Sequence, residues 1–397
     1  MNVRPLVPYL ALALAGNALA LLFAPHFENA NVLRPFDYMQ YWSAGRAVLN
    51  GQNPYDGKVL YPYQQRIGTN WEQPVMMWNP PWTLPIAMGL GSVHWRIGQL
   101  AWFALNLACV LSSAVMLWRM YAGNRNVVVP GLIALAFGPT VFLLLLGQIS
   151  GLILLGVVGF LACVRTDRVV LAGVFLALTA IKPHLLAPFA VVLALEAVRT
   201  PSLRRTILTG LGVLAVCGAI PLAWNPDIWS QYRAGTSASS SNANNTISEW
   251  IHPTIGFLIR EALPGQPRWA MFVPLAFAVP FSAWFWWKHR NDWNWTLGLP
   301  MLVLVSLIAA PYGAWGFDLV LLLVPIIQAS VWLIDSPQRR LWMYAYAAFN
   351  AVLMLTLLRP DSMTNYWITP MVLGGFLMVK ATRQSSAVPA RMEAAVP

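Results

Sequence analysis

Asp37 is the first residue around which chemistry can be built. It follows soon after the first apolar stretch, and Gln40 lies three residues on. A carboxylate in that position can act as general base on an acceptor hydroxyl. The same spacing also marks a helix N-terminus, with Asp37 as cap and Gln40 as the returning partner. The two uses compete, because a carboxylate held by backbone N–H groups has a depressed pKa and is a weaker base. Lys182, in Lys182-Pro183-His184, is the second candidate. It is a cation close to membrane depth, suited to meeting a lipid phosphate or simply to snorkelling to the interface. His184 can donate to the same anion or cap a helix. Gln148, in Leu146-Gly147-Gln148-Ile149-Ser150, is a polar break between two apolar runs, either a tight turn or a substrate contact. Asn79-Pro80-Pro81 and Pro311-Tyr312-Gly313-Ala314-Trp315 are breaks of the same kind.

These residues must be positioned by a membrane protein. The chain has 397 residues, 58% hydrophobic and only 10% charged, against about 25% charged in a soluble domain. Apolar stretches near the roughly 20 residues needed to cross a bilayer fall near 6–24, 95–118, 128–145, 149–164, 169–181, 183–197, 206–224, 269–287, 293–310, 317–334, 341–357 and 366–380. That predicts about twelve transmembrane helices, an all-α polytopic membrane protein. Pro183 cannot continue the backbone ladder, so a break is expected beside Lys182. The apolar run from Pro80 to Leu90 is too short to cross.

With the N-terminus cytoplasmic, the inner segments collect fifteen of the 25 Lys and Arg, among them Arg165, Arg204 and Arg339, as the positive-inside rule asks. The net charge of +11 is mostly this bias. No basic run is interleaved with aromatics as a nucleic-acid surface would be. The first span lacks a small-residue cleavage site and reads as an anchor, not a signal peptide. Cys109, Cys163 and Cys217 are isolated within apolar spans, which gives neither a disulfide framework nor a metal-ligand motif. The polar breaks all gather at the outer face.

Two long outer loops, 25–94 and 225–268, interrupt the helices. The second holds a run of small polar residues from Ala234 to Thr246, a flexible linker or a lid. In the first, Tyr38, Tyr41, Trp42, Gly45 and Leu49 recur at spacings of three and four, between Pro35 and Gly51. This predicts an aromatic amphipathic helix of about three turns lying flat at the interface, with Arg46 elsewhere on its surface. Residues 1–380 form a single domain, and 381–397 read as a disordered cytoplasmic tail. No carboxylate falls in the middle of an assigned span, where proton-coupled transporters place ionisable groups, and no internal repeat is visible. From the residues alone, an enzyme, a transporter or lipid flippase, and an inactive scaffold all stay open.

The string Phe36-Asp37-Tyr38-Met39-Gln40-Tyr41-Trp42, followed by Ala44, Leu49, Gly51 and Asn53-Pro54-Tyr55, resembles the first-loop signature of glycosyltransferase family 87. Asn79-Pro80-Pro81, Gly147-Gln148, Lys182-Pro183 and Pro311 with Trp315 follow in the family's order, so the resemblance covers roughly residues 30 to 335. It implies a GT-C membrane fold and a polyprenol-phosphate-mannose-dependent mannosyltransferase-like activity. By the same resemblance Asp37 would be the catalytic base of an inverting transfer that needs no metal or cofactor. The donor would be a polyprenyl-phosphate-linked sugar, the acceptor a lipid or glycan, and Lys182 would lie at the donor phosphate. Gln148, His184, Tyr41, Arg46 and Asn79 complete the candidate substrate-binding set. Where the family often has a histidine after the Pro-x-x-x-Trp element, this chain has Gly316-Phe317-Asp318, and Asp318 is the candidate for that polar role. The expected setting is a bacterial inner (plasma) membrane, with both termini cytoplasmic and the site extracytoplasmic.

Overall fold

The computed structural model describes residues 11, 14–18, 36–69, 73–123, 126–236, 252–334, 336–357 and 365–393. Among these every regular element is helical. In chain order the α-helices are α1 (Phe36–Leu49), α2 (Gly57–Arg66), α3 (Leu84–Gly91), α4 (Trp95–Ala122), α5 (Val128–Ala136), α6 (Gly138–Leu146), α7 (Ser150–Arg165), α8 (Val169–Thr179), α9 (Ala187–Arg199), α10 (Pro201–Ala219), α11 (Ile228–Thr236), α12 (Ile255–Ala262), α13 (Val273–His289), α14 (Trp295–Ala309), α15 (Leu323–Leu333), α16 (Arg339–Leu357) and α17 (Ile368–Glu393). Short 3-10 turns precede several of them, including Pro183–Leu186 and Asp318–Leu322.

By length and composition three helices can cross a membrane: Trp95–Ala122, Pro201–Ala223 and Arg268–His289. Two bent pairs, Val128–Ala136 with Gly138–Leu146 and Val169–Thr179 with Pro183–Arg199, bring the number to as many as five if each pair is one span. Shorter apolar helices cover Ser150–Arg165, Trp295–Ala309 and Asp318–Leu333. From residue 95 onward each expected apolar stretch is helical, with 128–145 divided into α5 and α6, and the short helices α11 and α12 lie within the expected loop 225–268. Most of the first stretch, 6–24, and the polar run from Ser237 onward lie outside the described residues. Leu100, Leu208 and Phe277 are 72%, 67% and 74% exposed. Large apolar side chains turned outward on long apolar helices belong in hydrocarbon. The chain is an integral membrane protein.

Both bends have local causes. Pro139 cannot donate to the ladder, and Phe137 turns to an extended conformation, which bends α5 against α6 by 72°. The freed groups are satisfied by side chains, as backbone inside a bilayer requires. Asn350 Oδ1 accepts the Gly138 N–H at 2.9 Å, and Asn17 Nδ2 donates to Ala136 O at 2.8 Å. Asn350→Leu should strand the buried Gly138 amide and cost about 1–3 kcal/mol, read as a lower unfolding midpoint of the detergent-solubilised protein. The second break, 115° between α8 and the Pro183 turn, is where Lys182 sits. Trp82 Nε1 donates to Ala180 O at 3.0 Å, and Asn79 Nδ2 donates to Ile181 O at 3.3 Å.

Two expectations change. Helix α1 exists where the aromatic spacing places it, but it is buried on nearly every side instead of showing a wet face. Tyr38 and Tyr41 are each only 1% exposed. The reason is a close crossing with α3. A Cβ at Gly45 would run into the backbone of Ala87, and one at Gly91 into the backbone of Gly45 and Arg46. The two glycines bring the helices together and remove the open face. The tail also differs: α17 continues as helix to Glu393, through residues 381–393 that composition reads as disordered.

Candidate active site

Four breaks in the helical pattern meet beside α1. Asp37 lies in the first turn of α1 and stays partly exposed. Gln40 does reach back across one turn, but its Nε2 donates to Asp37 Oδ1 at 3.2 Å. Asp37 is therefore inside the helix and not on its cap. Among the described residues no backbone N–H is committed to its carboxylate.

Gln148 reaches Asp37 from the turn between α6 and α7. Gly147 ends α6 in the left-handed conformation, φ 69°, which glycine alone adopts without strain. A Cβ there would press on Tyr38. Trp102 Nε1 holds the Gly147 carbonyl at 2.7 Å. The Gln148 amide oxygen is crowded with donors: Tyr41 Oη at 2.8 Å, Ile149 N at 3.0 Å and Lys182 Nζ at 3.3 Å. The Gln148 side chain also lies close enough to Asp37 to lower the pKa of its carboxyl.

Lys182 and Asp318 form the other half. Lys182 Nζ lies 2.7 Å from Asp318 Oδ1 and 4.7 Å from the centre of the Phe317 ring. Its Nζ also donates to Ser150 Oγ at 3.4 Å. Asp318 is completely buried. It accepts the Ser150 hydroxyl on Oδ1 and the Trp315 N–H, at 3.2 Å, on Oδ2. A buried carboxylate of this kind is tolerable only when paired and hydrogen-bonded, and here it is both.

The electrostatics follow from this packing. Burial pushes the Asp37 carboxyl up to about 6. The Lys182 cation and the Gln148 hydrogen bond pull it down, and the Asp318 anion pushes it further up. Tyr41 is raised well above its ordinary value by burial and then by the two carboxylates, so it remains a neutral donor to Gln148. A carboxyl poised near neutrality, beside a cation that can follow an anion, suits proton abstraction coupled to the departure of an anionic leaving group.

The other expected residues divide. Tyr41 joins the cluster through Gln148. Asn79 tethers the strand of chain just before Lys182, its own carbonyl held by Tyr55 Oη at 3.2 Å. Arg46 stands about 14 Å further along α1 than Asp37, and its guanidinium binds Gly91 O at 3.1 Å and covers the Trp42 ring. It clamps α1 to α3 and does not face Asp37. His184 belongs to an adjoining aromatic group, 4.3 Å from the Tyr312 ring centre, with His252 behind Tyr312 and against Trp315. His252 Nδ1 accepts the Gly313 N–H at 3.2 Å.

Ser150, Phe317 and His252 are the members that sequence reasoning missed. Ser150 stood at the end of the quoted Gln148 string and Phe317 next to Asp318, but nothing in their spacing marks a contact. Among the described residues no group of His, Cys, Asp and Glu could hold a metal ion.

No curated protein and no solved structure matches the chain. A family model, Glycosyltransferase family 87, matches residues 78–311. The matched region holds Asn79, Gln148, Lys182 and His184, and it leaves Asp37, Tyr41 and Asp318 outside. It covers more than half of a helical chain whose polar breaks converge on one cluster, and the chain belongs to glycosyltransferase family 87, an enzyme of the membrane.

Proposed function

We propose that this enzyme moves a hexose, mannose in the first place, from a polyprenyl-phosphate sugar to a hydroxyl of a lipid or glycan acceptor. The transfer inverts the anomeric centre, proceeds without a metal, and takes place at the extracytoplasmic face of the bacterial inner membrane. Asp37 takes the acceptor proton. The acceptor oxygen bonds to the anomeric carbon as the bond from that carbon to the phosphate oxygen breaks. The electron pair stays on the leaving phosphate, which Lys182 meets. Gln148 and Tyr41 orient Asp37, and Asn79 holds the turn that presents Lys182. Residues 1–380 act as one domain of about twelve spans, with both termini cytoplasmic.

The observation that carries this reading is the convergence of Tyr41, Gln148, Lys182 and Asp318 in one cluster beside Asp37, where burial raises its carboxyl to about 6 and the Lys182 cation holds it down. A base must be ionised to work, so transfer should fall as pH drops through about 6. The effect of neighbours has a sign. Lys182 lowers the Asp37 pKa more strongly than Asp318 raises it. In Asp318→Asn the acid limb should move to lower pH, and in the double variant Lys182→Met with Asp318→Asn to higher pH. The test is the pH profile of kcat/KM with a polyprenyl-phosphate sugar. An acid limb that ignores both substitutions would remove Asp37 as the base.

A further inference from the structure

A cavity of about 230 Å³ opens between α15, α16 and α17. It runs along most of α15, from Pro325 to Ile334, and the end that holds Arg339 lies about 24 Å along the helix from Asp318. Its wall is nearly all apolar, with Ile326, Ala329, Phe349, Val372 and Phe376 among the lining side chains. Met371, on its rim, is 57% exposed, so the cavity opens sideways through the outer surface of the helices.

The polar groups in the wall are not alike. Ser330 Oγ donates to Ile326 O at 2.8 Å and Tyr346 Oη to Ile133 O at 3.0 Å. Two donors remain. Trp342 Nε1 is buried with no acceptor among the described residues. The Arg339 guanidinium, also in the wall, has no partner among them either. A further cation stands at the same end: Arg383, one turn beyond the lining residue Val379, covers the Trp332 ring at 5.3 Å.

We infer that this cavity is a binding site for an anionic glycerophospholipid, with one acyl chain in the apolar slot and the phosphodiester against Arg339, Arg383 and Trp342 Nε1. An apolar slot that opens sideways into hydrocarbon is filled by a lipid tail. Two cations and an N–H at one end select an anionic head group over a zwitterionic one, as basic pockets between membrane helices do. The basic end that would hold the phosphodiester lies too far from Asp318 and its partner Lys182 to present a donor sugar there, so the site does not depend on the transferase reading.

The test uses the full chain in nanodiscs of phosphatidylcholine with increasing phosphatidylglycerol, with retained lipid counted by native mass spectrometry. One phosphatidylglycerol should be held in preference to phosphatidylcholine. Arg339→Gln with Arg383→Gln should weaken that preference about thirtyfold, at ~1 kcal/mol for each cation. Gly375 lines the cavity, and a Cβ there meets nothing within 4 Å. Gly375→Leu should therefore fill the slot and abolish retention of either lipid. Three results would overturn the proposal: equal retention of the two lipids by the wild type, a preference that survives loss of both arginines, or no retained lipid at all. The last is the result expected if another part of this chain fills the slot.

Discussion

Asp37→Asn should lower sugar transfer by about 10²–10⁴-fold, the usual contribution of a positioned general base, and should leave the protein folded. The side chain keeps its size and its contact with Gln40, while the proton acceptor is lost. The stability signature is distinctive. A carboxyl whose folded pKa is raised from 3.8 to about 6 opposes folding once it is ionised. Its contribution is fully present below the unfolded value and is lost as pH rises through about 6. The Asn variant should therefore melt no lower than wild type at pH 7.5, and the difference should narrow below about pH 4. A side chain present only to start α1 would behave in the opposite way, with Asn costing stability and leaving transfer alone. Transfer rate and melting temperature, measured on the same preparations, separate the two.

The second large effect belongs to the Lys182–Asp318 pair. Lys182→Met leaves the completely buried Asp318 without its counter-charge, and breaking one side of such a pair costs about 3–5 kcal/mol. Adding Asp318→Asn should recover most of that loss, because the remaining amide still offers an oxygen to the Trp315 N–H. The coupling in a double-mutant cycle is the readout. Stability regained while transfer stays well below wild type, though still measurable, would mark Lys182 as a functional cation held in place by Asp318. If the single Lys182→Met variant is as stable as wild type, the buried pair described here is wrong.

The legible part of this protein is the part governed by periodicity. Apolar runs separated by basic inner ends placed helices in each expected stretch from residue 95 onward, because a long apolar run carries its own signal. They did not show the division of 128–145 into two helices or the short helices α11 and α12 within the loop 225–268. Pro183 announced its break because a missing donor is a local property, whereas the 72° bend before Pro139 divides a stretch that reads as one continuous span. The burial of α1 was not local. Its aromatic stripe reads as one apolar face against solvent until Gly45 and Gly91 are seen to let α3 close over it, and a glycine does not say what will approach it. The site divides in the same way. Asp37, Gln148 and Lys182 stand out as polar residues in apolar surroundings. The pairing of Lys182 with Asp318 joins positions 136 residues apart, and no spacing in a single sequence encodes it. Arg46 stands apart from this cluster, and charge alone does not reveal that its guanidinium is held by the Gly91 carbonyl.

The most direct measurement is transfer itself: purified protein in nanodiscs, radiolabelled polyprenyl-phosphate mannose, membrane extract as the source of acceptor, and identification of the labelled product. The account predicts label moving from lipid phosphate to an acceptor hydroxyl with inverted anomeric configuration, without nucleotide sugar, and lost in Asp37→Asn. Label that stays on every polyprenyl-phosphate sugar supplied, or that moves equally well without the Asp37 carboxylate, would contradict it.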